Sequence, residues 1–204
     1  MKVSDFAAAY LDELRAGLES LELVDLERIV EVLDRARRQG RTVFVVGNGG
    51  SAATAAHIAS DLSRVTAGTD RGGLRALSLT DNVAAFTAMA NDTCYEDAFA
   101  EMLSIQAGQD DVVIAISGSG SSENVLRAVE AGRRRGATTI GLVGFGGGEL
   151  GERVDLRLCL ASRHYGVVED LHLALGHMIA MYLAGGERIE HPDRRPGSSL
   201  ERAG

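Results

Sequence analysis

Residues 42–51 read Thr42-Val43-Phe44-Val45-Val46-Gly47-Asn48-Gly49-Gly50-Ser51. The first half is a short apolar run rich in β-branched residues, the pattern of a strand buried on both faces. The second half is a glycine turn followed by a serine, which can cap a helix. Helical spacing then continues over Ser51–Val65. Working outward, similar apolar runs occur at Leu74–Leu79, Val112–Ile116, Thr138–Val143 and Leu156–Leu160. Helical stretches lie between them: Asn82–Gln106, broken near Asn91, then Ser122–Arg135 and Val167–Leu183. Upstream, the first forty residues read as two helices; the second repeats Leu23, Leu26, Ile29, Val30 and Leu33 and ends at Gly40. Strands alternating with helices predict an α/β fold, a doubly wound five-stranded parallel sheet flanked by helices. Ligands of such sheets bind beyond the carboxyl ends of the strands, where the strand order reverses.

Composition narrows the function. The chain has 204 residues, 45% hydrophobic and 25% charged, which suits one domain over residues 1–186 with a helical extension at 1–40. Residues 187–204, ERIEHPDRRPGSSLERAG, are polar and aperiodic and read as a flexible tail. No run of eighteen apolar residues occurs, so no membrane span is expected. The N-terminus lacks the continuous apolar segment of a signal peptide, and two cysteines suit a reducing compartment, so a cytoplasmic protein is expected. A net charge of −8 argues against nucleic-acid binding. Lys2 is the only lysine, which excludes a Walker loop and a Schiff-base mechanism.

Two loops follow strands and open helices. In the first, Gly47–Ser51, glycines such as Gly49 let backbone approach a ligand, and the helix N-terminus offers free N–H groups. Ser51 either caps the helix or donates to a phosphate oxygen. The second, Ser117-Gly118-Ser119-Gly120-Ser121-Ser122-Glu123-Asn124, is dense in hydroxyl donors. Each alone is also compatible with an ordinary turn. Together, converging on one crevice, they favour a phosphate ester held by neutral donors.

Four side chains have metal-ligand chemistry. His57 and Asp61 are four apart, on one helix face. The same spacing is that of a simple surface pair. Glu169 and His177 are eight apart on the last helix, within roughly 80° around its axis. Two imidazoles and two carboxylates suit Zn²⁺ or a similar divalent ion. His172 points about 140° away from His177 and is expected at the surface or a subunit contact. Cys159 reads as a buried apolar filler, Cys94 as packing without a base to activate it, and Arg133–Arg135 as a solvated helix end.

The stretches VVGNGGSAATAAHIASDL, LTDNVAAFTAMANDTCYEDAF, DVVIAISGSGSSENVLRAVEAGRRRGATTIGLVG and EDLHLALGHMI, covering roughly residues 5–185, resemble the sugar isomerase (SIS) family, and within it the phosphoheptose isomerases. The resemblance implies N-terminal helices packed into a homotetramer with active sites at subunit interfaces. It places Ser51, Ser117, Ser119 and Ser122 where the family binds phosphate. His57 and His177 fall on metal-ligand positions, and Asn48 and Asp81 where the family meets the sugar chain. The family usually has Glu in place of Asp61 and Gln in place of Glu169, so the site gains a carboxylate. An acidic residue and an arginine are replaced by Gly166 and Val167, and SGSGSSEN stands where STSGNSPN is common. The wall near Arg163–Val168 therefore differs in what sugar it would meet.

The implied activity is metal-dependent aldose–ketose isomerisation of a sugar phosphate, sedoheptulose 7-phosphate above all, by proton transfer through an enediolate. Asp61 is the expected base, or base and ligand, and His177 the acid or a ligand. Other readings are a non-catalytic SIS protein binding a replication-initiator-type partner, a metal-free sugar-phosphate sensor, or an isomerase of another ketose phosphate. The four residues with ligating side chains favour the enzyme.

Overall fold

Five of the apolar runs form strands in the computed structural model, which describes residues 1–67 and 72–186. In chain order the elements are α1 (Val3–Glu19), α2 (Leu23–Arg38), β1 (Thr42–Gly47), α3 (Gly50–Thr66), β2 (Arg75–Ser78), α4 (Val83–Asp92), α5 (Ala98–Gln106), β3 (Val112–Ser117), α6 (Glu123–Arg134), β4 (Thr138–Val143), α7 (Gly148–Arg153), β5 (Leu156–Cys159) and α8 (Tyr165–Leu183). The strands pair in parallel in the order β2-β1-β3-β4-β5. The chain steps from β1 outward to β2, then crosses back to lay β3 on the other side of β1. The order thus reverses between β1 and β3, and the loops after these two strands flank the switch point.

Strand alternation splits the core into two layers. Val43, Val45, Ile114, Ile116 and Leu142 face α2, α3 and α8. Phe44, Val46, Val113 and Ala115 face α5 and α6, with Phe99 and Leu126 filling that layer. The central strands β1 and β3 are buried throughout. The edge strands are not: Arg75 and Leu77 of β2 and Arg157 of β5 are exposed. Cys159 on edge strand β5 is accordingly only partly buried, packed against the second layer.

Two differences from the sequence reading have physical causes. Helix α7, six residues with two glycines, is too short to show a period; the single buried Leu150 anchors it. His172 is fully buried rather than at the surface. Helix α8 is covered on several sides at once, since Leu171 packs on Gly17 of α1, Ile58 of α3 on Gly176, and Val168 on Gly144 below. The Arg133–Arg135 run is exposed but tied down, with Arg133 bonded to Asp155 and Arg135 to the Ala107 carbonyl. The break expected near Asn91 is present, as the five residues between α4 and α5. The tail at 187–204 lies outside the described residues. Among the described residues no helix is long and apolar enough to cross a membrane.

Candidate functional site

Helices α3 and α8 run side by side in the same direction. Gly50 meets Glu169 at one end, and Ile58 meets Gly176 two turns further on. A side chain at 176 would place Cβ 2.4 Å from Ile58 Cγ1, so glycine is what lets the helices approach. That approach brings His57 and Asp61 of α3 to His177 of α8. His177 Nε2 lies 3.1 Å from His57 Nε2, and Asp61 Oδ2 lies 3.4 Å from His57 Nε2 and 3.5 Å from His177 Nε2. Ligands about 2.0–2.2 Å from one tetrahedral ion stand about 3.3–3.6 Å apart. The two carboxylate–imidazole separations fall in that range and the imidazole–imidazole one is about 0.2 Å shorter, and the donor set of two imidazoles and one carboxylate suits a Zn²⁺-type ion. The other Asp61 oxygen, Oδ1, accepts a hydrogen bond from Arg64 at 3.2 Å. Among the described residues this is the group of side chains close enough to share one ion.

Glu169 does not join them. Its carboxylate lies against Gly50, where any added Cβ would be 2.2 Å from Oε1. Eight residues of helix separate Glu169 from His177 by about 12 Å, so a shared face does not give a shared level. The negative carboxylate rests at the N-terminus of α3, where the helix dipole favours it.

The two glycine- and serine-rich loops do converge. Asn48 Nδ2 donates to Asn124 Oδ1 at 2.8 Å, and Asn124 Nδ2 donates back to Asn48 Oδ1 at 2.9 Å. Tyr95 Oη, from the segment between α4 and α5, donates to the same Asn48 oxygen at 2.9 Å. Gly49 is the N-cap residue of α3 and gives its first N–H groups no side-chain cap. Ser51 is buried in its first turn. In the second loop, Ser117 Oγ is buried and accepts from the Gly120 N–H, shaping the turn. Ser119 Oγ accepts from the backbone and the hydroxyl of Ser121. Ser122 caps α6 by position only, and its hydroxyl makes no capping bond. The backbone beneath is pinned by Gly144 N–H to Gly118 C=O and by Leu150 N–H to Gly120 C=O.

Asp81 stands apart. It is exposed past the end of β2, on a shallow cavity of about 390 Å³ shared with Asn82 and Met102. Cys94 donates to Asp97 at 3.2 Å, and that hydrogen bond holds its thiol above the usual value, which keeps it from acting as a thiolate. Asp97 is held below the carboxylate range by Arg127. Tyr10 of α1 donates to Asp170 at 2.7 Å, which pushes the phenol up to about 12.

Sequence reasoning missed Arg64, Asn124 and Tyr95 as parts of the site. Arg64 stands three after Asp61, a spacing that pairs charges on a helix. Asn124 was visible only as the end of the serine loop. Nothing local marks Tyr95, whose partner is 47 residues away.

The SIS domain family model matches residues 8–144. A phosphoheptose isomerase of Rhodospirillum rubrum is 38% identical over 148 residues, 72% of this chain and 78% of that protein. One from Roseiflexus sp. is 36% identical over 181 residues, 87% of this chain and 89% of that protein. The solved structure of a phosphoheptose isomerase from Francisella tularensis superposes with a TM-score of 0.83 at 27% identity, covering 91% of this chain and all of that one.

Proposed function

This chain belongs to the SIS-domain family, among the phosphoheptose isomerases, and from that premise we propose that it is a metal-dependent aldose–ketose isomerase converting sedoheptulose 7-phosphate to a heptose 7-phosphate. The observation that carries the metal dependence is the triangle of His57, Asp61 and His177 atoms at 3.1, 3.4 and 3.5 Å. Bound there, a divalent cation such as Zn²⁺ supplies Lewis acidity toward the substrate's carbonyl and hydroxyl oxygens, worth several kcal/mol.

The remaining chemistry falls to this chain's own groups. Asp61 Oδ1, turned from the imidazoles toward Arg64, takes the proton between C1 and C2 on the way through an enediolate. A positioned base contributes about 10²–10⁴-fold. His177 is assigned to the ion, because the Nε2 that would act as an acid is the atom facing His57 and Asp61. Ser119, Ser122 and the first N–H groups of α6 hold the phosphate, and Ser51 and Ser117 keep the two loops in shape. Fixing the phosphate holds the reacting carbons against the base. Asp81 meets the sugar only where a second subunit closes its open cavity.

The proposed assembly rests on a separate face. Val3, Phe6, Leu11 and Leu18 of α1 and Leu23 and Val24 of α2 are exposed, and an apolar groove of about 490 Å³ lies between α2 and α8. Exposed apolar surface on this scale marks an interaction face, and we assign it to a homotetramer.

The experiment is an NMR and mass-spectrometric screen of zinc-loaded protein against C5 to C7 ketose phosphates. Turnover of sedoheptulose 7-phosphate is expected, and turnover of a shorter ketose alone would move the substrate but keep the reaction. No turnover of any of them would leave the sensor or partner-binding reading in its place.

A further inference from the structure

The metal cluster and the phosphate loop sit on different elements, α3 and the loop that leads into α6. Two of the cluster's three side chains ride on α3, which starts two residues after Asn48. The phosphate loop ends in α6, whose second residue is Asn124. These two asparagines, 76 residues apart, form a reciprocal amide pair. Asn124 is 2% exposed, and its side chain reaches across to the first loop rather than to solvent. Asn48 is held from a third side by the Tyr95 hydroxyl. Tyr95 is itself braced edge-on by Phe86, ring centroids 5.9 Å apart. Its segment is also tied to α6, because Arg127, which bonds Glu123 within that helix at 2.7 Å, donates to Asp97 at 2.8 Å.

We propose that Asn124 is a positioning residue, which acts through Asn48 and Tyr95 to set the distance between the ion-holding helix and the phosphate loop. The proposal rests on the isomerase reading above, since it needs one substrate to span both ends. An amide is suited to the task because it donates and accepts at once. A carboxylate at 124 keeps the acceptor but sets oxygen against the Asn48 carbonyl oxygen. An alanine removes both bonds. Neither change removes an ion ligand or a phosphate donor named above.

The consequence is specific to ligands that reach both ends. A misplacement of about 1 Å costs on the order of 10²-fold in rate when two ends of a substrate must be in register. An ion alone or phosphate alone feels no such constraint.

The test uses the full-length zinc-loaded protein with Asn124→Asp, Asn124→Ala and Tyr95→Phe. Zn²⁺ and inorganic phosphate affinities are measured separately by calorimetry, and kcat and KM with sedoheptulose 7-phosphate. For Asn124→Asp we expect Zn²⁺ and phosphate affinities within about twofold of wild type and kcat lower by about 10- to 100-fold. Tyr95→Phe, at a half-exposed ring, should shift kcat in the same direction by about two- to fivefold. This variant keeps the proposal testable if substitutions at 124 fail to fold. Unchanged kcat in folded variants overturns it. A matching loss of inorganic phosphate affinity also overturns it, because Asn124 would then belong to the phosphate loop itself. If the wild type turns over nothing, the isomerase reading fails instead. The positioning role of Asn124 is then read from binding: the variants should lose affinity for sedoheptulose 7-phosphate but not for inorganic phosphate.

Discussion

Asp61 divides its carboxylate between two tasks. One oxygen faces His57 and His177, and the other accepts from Arg64. Asp61→Asn keeps the shape and removes the charge. Isomerisation should fall by about 10²–10⁴-fold. Metal analysis of the variant separates the tasks: retained zinc with lost solvent-deuterium exchange identifies the base, and lost zinc identifies a ligand first. A metal-replete variant that exchanges at the wild-type rate removes Asp61 as the base. Glu169 gives the complementary case. Its carboxylate packs on Gly50, away from the ion-binding triangle. Glu169→Gln should therefore change zinc affinity by less than about threefold, as read by competition with a chelator. A loss of tenfold or more would mean that the side chain swings two turns along the helix to reach the ion. The helical period was enough to put His57 and Asp61 together, because four residues return to one face at nearly one level. The same reasoning failed for Glu169, because eight residues return to one face at a different level.

The contact between α3 and α8 is what turns two separate sequence signals into one site. Gly176 sets their spacing, and Ile58 fills the room it leaves. Gly176→Ala forces a methyl into a closed contact, and overpacking of this kind costs about 1–3 kcal/mol. Zinc affinity should fall along with thermal stability, since His57 and His177 are carried apart. Lower stability with unchanged zinc affinity would show that the cluster does not depend on helix spacing. At this scale the strands were legible, because β-branched runs between glycine turns have few other uses. Helix α7 was not, since GELGER offers one apolar anchor and no period. The loop-to-loop amide pair was not legible either. Its partners are joined by strand order, which a linear sequence does not display.

For the molecule as a whole, His172 is a buried group whose protonation costs stability. Burial pushes its imidazole down to about 4, and neither ring nitrogen has a hydrogen-bond partner among the described residues. In the unfolded chain it takes a proton near 6.5. Between those values the unfolded state binds the proton and the native state does not, so stability falls as pH drops from about 6.5 to about 4. The loss amounts to roughly 3 kcal/mol. Denaturant melts of metal-free protein across that window should show this slope, and His172→Phe should flatten it. An identical slope in the variant would assign the effect to other groups. The doubly wound sheet was readable from the alternation of strands and helices, but the burial of His172 was not. Its face of α8 looked free until the packing of α1, α3 and the sheet end around that helix was seen.

The central claim is that one crevice holds a phosphate at its serine loop and moves a proton at its His–Asp–His end. The most direct measurement is proton NMR of sedoheptulose 7-phosphate in D₂O with the zinc-loaded protein. Deuterium should enter at C1 of the ketose and at C2 of the aldose 7-phosphate that appears, and removal of zinc by a chelator should stop both. Stoichiometric zinc and tight substrate binding with no exchange at either carbon would contradict it.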